Sequence, residues 1–168
     1  MGTRGFVALR DEQRTVAAYN HYDSYPSFLG VRVVEFVRTT DLEDARAKFK
    51  AVMLVDENAA ATPEQLEKLP TIDGRDGDWY GVLRDLQGDL QGYLDAGVMP
   101  VWDLDKPDAA LTATDSWLEW GYVVDLHAEK LEVFDITHGL GPKRVAGFDF
   151  AQLRAAADPA DLFVGLEG

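Results

Sequence analysis

Gly30 to Thr40 reads "GVRVVEFVRTT", and its assignment decides where the chain turns from strands to helices. The valines favour a strand, because β-branched side chains pack well on a pleated surface. Val33, Val34 and Val37, however, also share one helical face. We read the stretch as a helix. Before it, Thr3 to Leu9 and Arg14 to Asn20 are β-prone runs joined by "RDEQ", a hairpin pattern. After it, Thr40 and Glu43 form a capping-box pattern ahead of Leu42, Ala45, Phe49, Val52 and Met53 at helical spacing.

Further out, "ATPEQLEKLP" starts a short helix, with Thr62 as N-cap, Pro63 at the first helical position and Gln65 closing the box. Trp79, Val82, Leu83, Leu86, Leu90, Tyr93 and Leu94 recur every three or four residues up to Gly97, which predicts one long helix. Its internal Gly81, Gly88 and Gly92 each cost about 1 kcal/mol against alanine, so close packing has to account for them. The last third is β-rich. Trp117 to Leu126, Leu131 to Ile136 and Arg144 to Phe148 read as a meander, turning at "HAEK" and "THGLGPK", before Asp149 and Gln152 cap a final helix. The expected fold is a single α+β domain over residues 1–168: a mainly antiparallel sheet, made of an N-terminal hairpin and a C-terminal three-strand meander, with helices packed on one face.

Composition narrows the function. The 168 residues carry a formal charge of −14 and no cysteine, which removes disulfides, thiolate nucleophiles and cysteine-type zinc sites and fits a reducing cytoplasm. No apolar run approaches a membrane span, and the N-terminus lacks a signal-peptide core, so a cytoplasmic protein with no membrane partner is expected. The charge is uneven. Residues 1–39 hold five arginines against four carboxylates, whereas Asp56 to Glu119 hold fifteen carboxylates against four basic residues. Such a field repels phosphate backbones and argues against direct nucleic-acid binding. Mimicry of DNA would need ordered carboxylate rows, of which Asp85 and Asp89, one turn apart on the long helix, are the only hint.

Chemistry concentrates in "AYNHYDSYPSFLG", Ala18 to Gly30. In an extended segment His21 and Asp23 lie side by side, a workable general-base pair in which the carboxylate fixes the imidazole tautomer. They are the candidate catalytic residues. Asn20, Tyr22, Ser24 and Tyr25 are the candidate ligand-binding residues, with Tyr19 and Phe28 adding aromatic surface. No nucleophile motif surrounds Ser24. The competing reading is a local turn in which Asp23 and Ser24 bond to the backbone before Pro26.

The opening "MGTRGFVAL" followed by "YNHYDSYPSFLG", together with "EWGYVVDLHAEKLEVF", resembles a group of uncharacterised phage and bacterial proteins. The resemblance covers the first 40 residues and the later hairpin, and the group has no established activity. It implies a phage or prophage accessory protein acting in the host cytoplasm, with counter-defence among its roles. The expected function is non-catalytic binding of a host protein or a small-molecule ligand; the alternative is a small hydrolase or transferase using His21 and Asp23.

Other features point elsewhere only weakly. His127 sits at a predicted turn. His138 in "THGLGPKR" has glycines and the adjacent cations Lys143 and Arg144 beside it, but between strands, so neither the P-loop nor the dinucleotide pattern applies. "DGRDGD" and "DLDKPD" lack the calcium-loop spacing. Thr3 could serve as an N-terminal nucleophile only if it were the first residue, and removal of Met1 leaves Gly2 in front. No metal and no cofactor is expected.

Overall fold

The computed structural model describes residues 2–72, 77–113 and 117–167. Strands β1 (Gly5–Arg10) and β2 (Thr15–Asn20) form the N-terminal hairpin, with Phe6 opposite Tyr19 and Ala8 opposite Ala17. After the tyrosine loop, one π-helical turn over Pro26–Gly30 leads into helix α1 (Val31–Thr39). The ambiguous stretch is helical: Val33, Val34, Phe36 and Val37 are buried, while Arg32, Glu35 and Thr39 face solvent.

Helix α2 (Leu42–Ala51) corrects two expectations. Thr40 does not cap it, because Thr40 already closes α1 with its N–H on the Phe36 carbonyl. The cap is Asp41, whose carboxylate accepts the Asp44 N–H at 2.9 Å. Val52 and Met53 are not helical either: Val52 is extended and Met53 opens strand β3 (Met53–Asp56). Helix α3 (Pro63–Glu67) has the expected Thr62–Gln65 capping box.

The long helix expected from Trp79 to Leu94 is instead α4 (Trp79–Val82), a 3-10 turn at Arg84–Leu86 and α5 (Leu90–Ala96). The glycines explain the breaks. Asp78 caps α4 by accepting the Gly81 N–H, and Asp89 caps α5 by accepting the Gly92 N–H, both at 2.9 Å. A side chain at Gly92 would crowd that cap, since its Cβ would stand 2.6 Å from the Asp89 carboxylate. Gly88, with φ +76, supplies the left-handed residue that separates the pieces. Asp85 and Asp89 therefore lie on different elements, Asp89 engaged as a cap, and do not begin a carboxylate row. Of "DGRDGD", Asp73 to Asp76 lie outside the described residues.

Strand β4 (Val98–Val101) pairs in parallel with β3, a two-stranded sheet the sequence reading did not contain, and lies beside β2. Then β5 (Trp120–Asp125), β6 (Lys130–Asp135) and β7 (Lys143–Asp149) form the expected antiparallel meander, and α6 (Phe150–Ala155) starts at the Asp149–Gln152 box. A parallel β1–β5 pair joins hairpin to meander, giving the order β2-β1-β5-β6-β7.

Period-two alternation divides the core. Val7, Leu9, Val16, Ala18, Tyr122, Val124, Leu131 and Val133 face a cluster that includes the buried sides of α1, α2, α5 and α6. Phe6, Ala8, Ala17, Tyr19 and Val123 face the other way, onto Ala110, Leu118 and Ile136, so that side is covered largely by the connection between β4 and β5, with its 3-10 turn at Ala109–Leu111. Tyr93, fully buried in the helix-side core, has a hydroxyl without a hydrogen-bond partner among the described residues. Burying an unpaired hydroxyl costs about 1–3 kcal/mol. Tyr93→Phe is therefore expected to leave stability unchanged or raise it by about 1 kcal/mol, read from urea unfolding midpoints; a loss above about 1 kcal/mol would mean that the hydroxyl is satisfied.

Candidate functional site

The tyrosine loop leaves β2 at the seam between the two faces of the sheet. Tyr19 points to the loop-covered side and Asn20 to the helix side, as alternation requires. The Asn20 amide donates to Ser24 Oγ at 2.9 Å and to the Tyr22 carbonyl at 2.5 Å. The Ser24 N–H reaches the Thr3 carbonyl at 3.1 Å, and the Tyr122 hydroxyl donates to the Ser24 carbonyl at 2.7 Å. Ser24 is fully buried, so it and Asn20 brace the loop against β1 and β5. Asp23 turns the chain with φ +51, a left-handed conformation that aspartate tolerates better than most residues.

That turn ends the extended alternation on which a His21–Asp23 pair depended. The His21 ring takes a different partner: its Nδ1 lies 2.8 Å from the Tyr19 hydroxyl, and its backbone N–H donates to Gln87 Oε1 at 2.9 Å. Tyr22 packs edge-on against His21 with ring centroids 4.4 Å apart. Tyr25 is exposed and stands near Phe28, outside the cleft formed by its neighbours.

Asn20, His21, Tyr22 and Asp23 do converge, on a cleft of 790 Å³ completed by Arg32 of α1, Tyr80 of α4, and Arg84, Asp85 and Gln87 of the following turn. Arg32 and Arg84 are exposed. In a chain of charge −14, the two guanidiniums match the two carboxylates, Asp23 and Asp85, that line the same cleft. The guanidiniums offer planar donor forks suited to a carboxylate or phosphate.

A second hollow of 440 Å³ shares His21 and Tyr80 with the first. Its other lining residues include Tyr19, Trp102, Trp117, Arg4, Glu57 and Asp78. Parallel pairing places its central groups: β3 ends at Asp56 opposite Val101 of β4, so the next residues, Glu57 and Trp102, emerge together. The Glu57 N–H donates to the Val101 carbonyl at 3.0 Å, and its carbonyl accepts the Tyr80 N–H at 2.8 Å. Burial, reinforced by the nearby Asp56 charge, pushes the Glu57 carboxyl up to about 7, against a hydrogen bond from the Trp102 indole that favours the ionised form. Burial likewise raises the Tyr19 phenol, opposed by a hydrogen bond from Trp117.

Glu57, Trp102, Arg32 and Arg84 were not among the sequence candidates. The available signal was two short apolar runs, Met53 to Val55 and Val98 to Val101, but periodicity assigned Met53 to the tail of α2, and Pro100 weakens the second as a strand. Elsewhere His127 is an exposed turn residue. His138 stands 3.5 Å from Asp135 on an exposed turn, and Arg144 pairs with Glu132. No cluster of three histidine, aspartate or glutamate residues suited to a metal occurs among the described residues, and no described helix is long and apolar enough to cross a membrane. No protein-family model, no curated protein and no solved structure matches the chain.

Proposed function

We propose that this is a phage-associated accessory protein that acts by holding a small polar ligand with an anionic group in the cleft beside the tyrosine loop, without turning it over. The observation that carries the reading is that Arg32 and Arg84 line the same cleft as Asn20, His21 and Gln87. Concave sites with a few convergent polar groups are where small ligands bind. A small ligand fits better than a flat protein partner, because the groups line a hollow and the exposed aromatics Tyr25 and Phe28 stand outside or at its rim. The imidazole's partner supports binding without turnover: Tyr19, a neutral phenol, and not a carboxylate, stands at Nδ1. The resemblance to phage proteins supports action inside the host, where withholding a small signalling molecule from a defence system would be one use.

A second reading, a small hydrolase or transferase, draws on Glu57. A half-buried carboxyl titrating at about 7 in the hollow that also holds His21 is poised for general acid–base work. In that version Glu57, and not Asp23, works alongside His21.

The test is a thermal-shift screen of small anionic metabolites against wild-type protein and the double variant Arg32→Ala/Arg84→Ala. At least one compound is expected to raise the wild-type melting temperature, and the double variant should bind it at least about tenfold more weakly, as loss of a charge-assisted fork implies. Equal binding by both proteins would remove the cleft from the account.

A further inference from the structure

The two hollows share a wall of His21 and Tyr80, and their chemistries differ in a complementary way. One presents paired guanidiniums. The other is lined by the Glu57 carboxylate and by the rings of Tyr19, Trp102 and Trp117. Trp102 and Trp117 line it beside Tyr19, whose ring centroid lies 6.2 Å from that of Trp102. Aromatic walls of this kind accept a planar heterocycle by stacking, worth about 1–3 kcal/mol per base in nucleic-acid sites. A carboxylate accepts two neighbouring N–H groups at once, the pattern that a guanine edge offers and an adenine edge does not.

Taking the proposed anion cleft as given, we infer that the ligand is a guanine-type nucleotide: its base enters the Trp102–Trp117 hollow with adjacent N–H donors on Glu57, and its phosphate reaches Arg32 and Arg84. The span suits one molecule. The two hollows adjoin at His21 and Tyr80, so the anion-binding and base-binding ends are neighbours. His21 and Tyr80, between the hollows, would flank the sugar. Intact nucleic acid is not implied, since the chain's charge of −14 opposes a long phosphate backbone.

Trp102 and Trp117 supply the readout for the base-bearing probes, because a base stacked on them quenches indole fluorescence, and titration calorimetry reads the affinity of every probe, ribose 5-phosphate included. Wild-type protein is titrated with guanosine monophosphate, adenosine monophosphate, guanosine and ribose 5-phosphate, alongside Glu57→Gln and Arg32→Ala/Arg84→Ala, each checked for native circular dichroism. Guanosine monophosphate is expected to bind at least tenfold more tightly than adenosine monophosphate or ribose 5-phosphate. Glu57→Gln should remove the preference for guanine while leaving ribose 5-phosphate binding unchanged. Arg32→Ala/Arg84→Ala should reduce guanosine monophosphate to the affinity of guanosine. Equal affinity of ribose 5-phosphate and guanosine monophosphate would overturn the nucleotide inference and leave the anion cleft standing. Binding of guanosine monophosphate that is indifferent to both arginines would overturn the cleft itself, and an absence of quenching by every probe would overturn the nucleotide assignment.

Discussion

Gly5→Ala is expected to lower the unfolding free energy by about 3 kcal/mol, the upper end of what overpacking costs, and to release the tyrosine loop. Gly5 opens β1, the strand held between β2 and β5. A Cβ there would collide with the Trp120 carbonyl oxygen and stand 2.7 Å from Ser24 Cβ. The carbonyl is backbone and cannot swing aside, and Gly5 is locked in register opposite Asn20 and Trp120. Only separation of β1 from β5 would relieve the contact, and that would also strain the Ser24–Thr3 and Asn20–Ser24 hydrogen bonds that hold the loop. Urea unfolding checks the magnitude, and exchange of the Ser24 amide with deuterium checks the loop. A change within about 0.5 kcal/mol, the size of an ordinary surface substitution, would mean that the loop and the β1–β5 junction are not packed as described.

Glu57→Gln is expected to change how stability depends on pH. The folded-state value of about 7 lies above the ordinary 4.5 for this group. Between those values the folded protein holds a proton that the unfolded chain has released, so the wild type loses stability as pH rises from about 4.5 through 7, and carries the full cost above that. Because the group is only about half buried, solvent screening reduces that cost to on the order of 1–2 kcal/mol. Glutamine cannot ionise. Relative to the wild type, the variant should therefore gain on the order of 1–2 kcal/mol between pH 5 and pH 8, measured as the difference in unfolding free energy at matched ionic strength. Parallel curves would show that Glu57 titrates as an ordinary surface carboxylate.

Much of the fold was legible because it rests on local signals. The β1–β2 hairpin, the meander and the Thr62 and Asp149 capping boxes each follow from residues within a short window. The stretch that begins at Gly30 resolved as a helix because its apolar face has a core to meet in β1, β2 and β5. The errors share one cause: two patterns overlapped and the neighbouring element won. Thr40 looked like an N-cap but was already the C-cap of α1, and the heptad-like spacing from Trp79 concealed two Asp-x-x-Gly caps. The parallel contacts β1–β5 and β3–β4 join residues far apart in sequence, for which no local pattern exists.

The site was legible in part for the same reason. Residue types in the loop pointed to Asn20, His21, Tyr22 and Asp23, which meet at the cleft. Their partners could not be read, since Arg32 and Arg84 come from separate elements and Glu57 with Trp102 depends on the parallel pair. Ser24 drew notice for its hydroxyl, yet its place against Gly5 makes it a brace.

The account's central claim is that the cleft beside the tyrosine loop holds a small molecule through Arg32 and Arg84. The most direct measurement is native mass spectrometry of the protein and of Arg32→Ala/Arg84→Ala, each purified from bacterial cells without dialysis. The account predicts a small-molecule adduct on the wild-type chain that is absent from the variant. An adduct of the same mass and occupancy on both proteins, or a bare wild-type chain that stays bare after incubation with a bacterial metabolite extract, would contradict it.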